Sequence, residues 1–211
     1  MIVGRVWTVG LGVSLVFVVT APTWATVIAE TRFDSGLEGW TKEGDGTVTW
    51  QSSGGNPDGY LRAVDPAQGP DTRAIAPAEF LGDWSHFDGT GYLSADLKII
   101  SGSQAGIHTG PRFIISGPGG EAVKMWQEAD APYGYWDTFS VDIMESEWDV
   151  TSGTWDALLS DVTGFRVKME FITGVETTGL DNVMLVPEPA ALSVMALGGV
   201  ALLFRRKQRE A

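Results

Sequence analysis

Four aromatic side chains, Trp126, Tyr133, Tyr135 and Trp136, crowd the stretch MWQEADAPYGYW (125–136). A sugar ring lays its apolar C–H face on an aromatic plane, so exposed rings of this kind form a binding platform. Pro132 and Gly134 mark the stretch as a loop, and loops on a rigid scaffold are where recognition concentrates. The competing use of large aromatics is to fill a core. Trp40, Trp84 and Trp155 are expected to be spent that way.

A second chemistry rests on two acids far apart in the chain. Asp34 is expected to end the first strand and Asp181 to open the last. Side by side, two such carboxylates with main-chain carbonyls hold Ca²⁺, which takes about six to eight oxygen ligands. The alternative is that both acids merely satisfy N–H groups in turns. No linear DxDxDG loop is present, so an EF-hand is not expected.

Catalysis finds less support. Hydrolysis of a glycosidic bond needs two carboxylates roughly 5–9.5 Å apart. In so acidic a chain some pair always qualifies; Glu145 and Glu147, two residues apart, share a face only if a strand continues there. His86 and His108 are the only histidines and cysteine is absent, which removes thiol chemistry, disulfides and a histidine-rich zinc site. No catalytic residue is assigned, and the chain is not expected to be an enzyme.

The elements that must hold these residues are short and glycine-bounded. Residues 47–51, 59–65, 91–100, 112–116, 121–127, 136–143, 165–172 and 180–186 read as strands. Phe165, Val167, Met169 and Phe171 alternate with Arg166, Lys168 and Glu170, the period-two pattern of a half-buried strand. TWDALLSDV (154–162) places Trp155, Leu158, Leu159 and Val162 at helical spacing, with Thr154 as its cap. Eight strands and one short helix predict an all-β fold, an antiparallel β-sandwich.

Both ends of the chain differ from this domain. Arg5 is the only charge before Glu30, and an apolar run lies between them. That pattern predicts a secretory signal peptide over 1–29, with small residues before a cut at Ala25 or Ala29; a retained signal anchor is the alternative. At the other end, fifteen apolar or small residues (190–204) precede Arg205, Arg206, Lys207 and Arg209. As a helix they cover roughly 22 Å of a hydrocarbon core about 30 Å thick, marginal for a permanent anchor. The basic cluster stays cytoplasmic, so the domain lies outside.

Of the 27 acidic residues only Glu188 and Glu210 fall outside 30–186. Of the 14 basic ones Arg5, Arg205, Arg206, Lys207 and Arg209 do, leaving 25 against 9 and a formal charge near −16. Such a surface repels nucleic acid and suits solubility or cation binding.

Two resemblances follow from these blocks. VPEP (Val186, Pro187, Glu188, Pro189), a short apolar helix and the Arg205–Arg206 cluster resemble the PEP-CTERM sorting signal of Gram-negative bacteria, over 186–211. The resemblance implies recognition by an exosortase and a transient inner-membrane stage. A cut near 187–189 would then release the domain to the cell surface or the extracellular polysaccharide matrix. FDSGLEGW (33–40), GGNPDGYLRAVD (54–65), APAEFLGDWS (76–85), GYLSADLK (91–98), WDALLSDVTGFRVKMEF (155–171) and LDNVML together resemble the laminin B domain, also called laminin domain IV, over 30–185. This implies a jelly-roll sandwich of the galactose-binding-like superfamily, shared with many carbohydrate-binding modules, some of which hold structural calcium at a last strand of this type. Laminins flank the domain with cysteine-rich repeats that are absent here, so polymer assembly does not carry over. The expectation is an exported module that binds glycan or serves adhesion in the matrix; the alternatives are a purely structural matrix protein and a glycan-active enzyme.

Overall fold

The computed structural model describes residues 28–66 and 69–187. Within them the chain forms twelve strands: β1 (Ala29–Thr31), β2 (Thr41–Glu43), β3 (Thr47–Gln51), β4 (Tyr60–Pro66), β5 (Arg73–Ile75), β6 (Gly91–Ser101), β7 (Arg112–Gly117), β8 (Gly120–Met125), β9 (Asp137–Asp142), β10 (Asp149–Gly153), β11 (Gly164–Lys168) and β12 (Val175–Pro187). They build two six-stranded antiparallel sheets, one in the order β3-β4-β12-β6-β9 with β1 added beside β12, the other β10-β8-β7-β11-β5-β2. The expected sandwich is the observed one. Four strands beyond the expected eight, β1, β2, β5 and β10, are three to five residues long. The three-residue strands have too few positions to show alternation, and β10 (DVTSG) carries a single apolar residue, Val150.

Alternation decides which residues meet between the sheets. On β6, Leu93, Ala95, Leu97 and Ile99 point inward and are fully buried, while Tyr92, Ser94, Asp96 and Lys98 face out. From the other sheet Phe113, Ile115, Phe165 and Val167 meet them. Aromatic rings dominate the centre: Trp40 lies 5.6 Å from Phe80 and 6.0 Å from Phe165, which in turn is 5.8 Å from Phe113. Each edge-to-face pair contributes about 0.5–1.5 kcal/mol beyond its burial. Trp40, Trp84 and Trp155 are core residues, as their positions predicted, and each indole N–H finds an acceptor: Thr31 Oγ1, the Phe80 carbonyl and Asp88 Oδ1.

The helix α1 (Trp155–Leu159) is shorter than the expected 154–162, but it buries Trp155, Leu158 and Leu159, and Val162 just beyond it is buried too. Thr154 precedes it in extended conformation without a side-chain cap; its carbonyl takes the Leu158 N–H instead. Glu145 and Glu147 lie on a single 3₁₀ turn rather than a strand, and Glu147 is paired with Lys124.

The last strand organises the first sheet. β6 runs along one side of β12; on the other side β4 pairs with its first half and β1 with its second. The change of partner coincides with a register shift against β6 between Asp181 and Met184, where Asn182 takes a left-handed φ of 46°. Asp181 is therefore central in β12, not its first residue, and Asp34 follows β1 by three residues rather than ending it. Ala29 pairs with Leu185, Val186 with Tyr92 and Pro187 with Gly91, so the sandwich includes Ala29 and the first two residues of VPEP. The expected leader up to Val27, and Glu188, Pro189, the apolar segment and the basic cluster, lie outside the described residues. Among the described residues no helix is long and apolar enough to cross a membrane.

Candidate functional site

The four clustered aromatics have different fates. Trp126 turns inward, its ring 5.0 Å from Phe113 and 5.3 Å from Phe139, with Lys124 Nζ 5.8 Å from its centre. Tyr133 packs on the core edge and donates its hydroxyl to the Gly102 carbonyl at 2.7 Å. Tyr135 is 55% exposed. Trp136, immediately before β9, lies on the outer face of the first sheet. Its indole N–H donates to the Gly54 carbonyl at 3.1 Å, and Tyr60 meets it edge-on at 5.5 Å.

Trp136 can lie there because β12 offers no side chain beneath it. A Cβ on Gly179 would come within 2.5 Å of Trp136 Cη2. Gly179 is flanked in register by Lys98 on β6 and Arg62 on β4, and Arg62 in turn by Thr49 on β3. Directly paired residues share a face of a sheet. Trp136 thus rests in a row whose two cations are both partly exposed, and Lys98 Nζ stands 5.9 Å from its ring. Neither Arg62 nor Lys98 forms an ion pair with any described residue.

Along the same face, Thr138, Asp96 and Asp181 form the next row. The loop between β3 and β4 folds over it. Asn56 donates its main-chain N–H to Asp181 Oδ2 at 2.6 Å and its amide to Asp96 Oδ2 at 2.9 Å. Asn182 adds a second amide to Asp96, a main-chain N–H to Asp181 Oδ1 and a contact to the Asn56 carbonyl. Thr138 donates to the other oxygen of Asp96. Burial pushes the Asp181 carboxyl up to about 6; the two N–H donors pull it down in part, and the charges of Asp96 and Asp34 push it further up. Asp34 therefore stands within electrostatic reach of Asp181, although it is exposed while Asp181 is fully buried. Among the described residues no three His, Cys, Asp or Glu side chains converge as a metal cluster. An ion between Asp34 and Asp181 would take the rest of its ligands from main-chain oxygens.

The other face and the ends are differently made. On the second sheet Arg73, Arg166 and Lys168 are matched by Glu43, Asp71 and Glu121. His86 and His108 are both exposed, His86 stacked on Phe87 and His108 in contact with Thr173. A cavity of about 520 Å³ opens at one end of the sandwich, between Gln104 and Ile107 on one side and Gln127, Glu128, Ala129 and Ala131 on the other. None of the four sequence-selected aromatics lines it. Tyr60, Arg62, Asp96, Lys98 and Asn56 were not selected from sequence. The outward positions of Tyr60, Arg62, Asp96 and Lys98 were readable from alternation on 59–65 and 91–100, whereas Asn56 lies in the β3–β4 loop; their meeting near Trp136 depends on β4, β12 and β6 lying side by side.

No protein-family model matches the chain, and no curated protein matches it. Solved structures do. The family 11 carbohydrate-binding module of Clostridium thermocellum, in complex with a β-1,3-1,4-mixed-linked tetrasaccharide, is 16% identical with a TM-score of 0.51, over 78% of this chain and 99% of that one. The same module of a cellulosomal cellulase from that organism matches over 79% and 96%, at 16% identity and a TM-score of 0.51. The L4b domain of human laminin alpha-2 is 15% identical, with a TM-score of 0.48 over 60% and 80%. The likeness to the bacterial modules is one of fold: the chain has a carbohydrate-binding-module-like β-sandwich.

Proposed function

We propose that the domain is an exported, non-catalytic glycan-binding module that recognises its ligand on the outer face of the first sheet, around Trp136. The observation that carries this reading is an indole laid on a glycine of a sheet, with Tyr60 at its edge and hydrogen-bonding side chains on both sides. That is the stacking-plus-polar arrangement a pyranose needs. The fold likeness to modules whose names state carbohydrate binding supports it. Of the four clustered aromatics, Tyr135 and Trp136 are the ligand-facing pair, and Trp126 and Tyr133 pack on the core. A glycan array probed with the full chain is expected to give hits that vanish in Trp136→Ala while the melting temperature stays within a few degrees. An array with no hits would leave the structural-matrix reading in its place.

We take the sequence blocks that resemble laminin B domains as a sign of kinship with that family, without laminin assembly. Export follows the two terminal signals. A signal-peptide cut after Ala25 leaves β1 whole, whereas a cut after Ala29 removes a residue paired with Leu185, so Ala25 is the proposed site. Because Pro187 still pairs with Gly91, exosortase would cut just beyond the folded strand. Mass spectrometry of surface material should find termini at Thr26 and near 187–189; an intact chain ending at Ala211 there would remove this part of the reading.

Calcium at Asp34 and Asp181 belongs to the same reading. A cation would relieve the mutual repulsion of Asp34, Asp96 and Asp181 and tie the region after β1 to β12. Binding to the folded state alone stabilises by about 2.7 kcal/mol at a hundred times the dissociation constant. Chelator should then lower the melting temperature by several degrees, and Asp181→Asn should abolish that response. Superimposable melting curves with chelator and with millimolar calcium would dismiss the ion.

A further inference from the structure

We propose that the ligand of this face is an anionic polysaccharide, with Arg62 and Lys98 binding its acidic groups while a sugar ring stacks on Trp136. The inference rests on the glycan-binding reading above and adds the chemical class of the glycan.

Cations are scarce in this domain. The domain carries 9 basic residues against 25 acidic ones, so carboxylates are plentiful for each cation. Arg32, Arg73, Lys124, Arg166 and Lys168 each hold a carboxylate. Lys42 donates to the Gly44 carbonyl. Arg112, on the opposite sheet, holds no carboxylate among the described residues. The remaining two, Arg62 and Lys98, stand in one cross-strand row on either side of Gly179. With neighbouring strands about 4.8 Å apart, their backbones are roughly 10 Å apart.

Nothing on their own face neutralises them. Asp96 and Asp181 lie one row away, but both are buried and hold Asn56, Asn182 and Thr138. Trp136, the one large group between the two cations, offers only a ring face to Lys98. A neutral glycan needs stacking and hydroxyl partners but no cation. A carboxylate or sulfate on a sugar needs a donor of opposite charge, and a guanidinium meets such a group with two parallel hydrogen bonds. Two unmatched cations bracketing an aromatic platform, in a domain that otherwise repels anions, are therefore selective for sugars that carry the charge locally.

Affinity electrophoresis and calorimetry on the full chain in mild detergent test this. The probes are polygalacturonate (carboxylate), dextran sulfate (sulfate ester) and two neutral polymers, dextran and mixed-linked β-glucan. At least one anionic polymer is expected to bind, and which one identifies the acid. The Arg62→Gln/Lys98→Gln double variant should lose at least about tenfold in affinity, as charged hydrogen bonds are removed. Its melting temperature should not change, and Arg112→Gln should bind as the native chain does. Equal loss in Arg112→Gln, or none in the double variant, overturns the inference. Neutral glucan held as tightly as the anions, and released by Trp136→Ala but not by the double variant, also overturns it while the glycan reading stands. Retention of no polymer at all overturns both.

Discussion

The two sheets treat the cations of their outer faces differently. On the second sheet Arg73, Arg166 and Lys168 are each met by Glu43, Asp71 or Glu121, Lys168 being buried in its pairing, and only Arg112 holds no carboxylate among the described residues. On the first sheet Arg62 and Lys98 stand partly exposed with no acid, beside a tryptophan the sheet itself makes room for. Matched charges serve the fold, because separating them strands a partner. Unmatched charges at a wet surface cost little and stay available to a ligand. Glu176 is the third case, an unmatched charge inside. Its Oε1 accepts the Phe171 and Ile172 N–H groups, but its Oε2 has no partner, and Asp65 lies opposite it across the sheet.

Removing the inward-turned indole separates face from core most sharply. Trp126→Ala should cost about 2–3 kcal/mol in urea unfolding, since part of a ring wedged between Phe113 and Phe139 is lost. Trp136→Ala should cost less than about 1 kcal/mol. Equal costs would mean that Trp136 is a core residue and the first face is not a binding surface.

The interior charge should show itself through pH. Burial pushes the Glu176 carboxyl up to about 7 from 4.5; the two N–H donors oppose this, and Asp65 and Glu170 add to it. The unfolded chain releases this proton near pH 4.5 and the folded chain near 7. Stability contributed by the protonated form is therefore lost as pH rises across that window, by an amount on the order of 2–3 kcal/mol. Glu176→Gln keeps the acceptor for both N–H groups and cannot ionise. Its melting temperature should exceed the native one at pH 8 and match it near pH 4.5. A parallel pH profile for the two proteins would place Glu176 among ordinary solvated carboxylates.

The smallest effect compares two lysines. Lys168→Ala removes a buried cation from the fold and leaves Asp71 to Arg73 and water, and should cost about 1–2 kcal/mol. Lys98→Ala should stay within about 0.5 kcal/mol. A reversal of that order, measured by chemical unfolding, would cancel the contrast between the faces.

Period-two alternation and glycine-bounded apolar runs are local properties, so the sandwich, eight of its twelve strands and its aromatic core are legible in the chain alone. The sequence marked Trp40, Trp84 and Trp155 as core and the segment 125–136 as the place to look, but could not tell Trp126 from Trp136. One indole goes inward and the other outward because β9 begins after Trp136 and Gly179, forty-three residues further on, leaves a gap beneath it. The row Lys98–Gly179–Arg62 belongs to no stretch of sequence; pairing of β6, β12 and β4 creates it. Asp34 and Asp181 are brought within electrostatic reach by the same long-range topology, in which β1 and β4 share one side of β12. Faces are written in the chain, and only the order of strands decides which faces become neighbours.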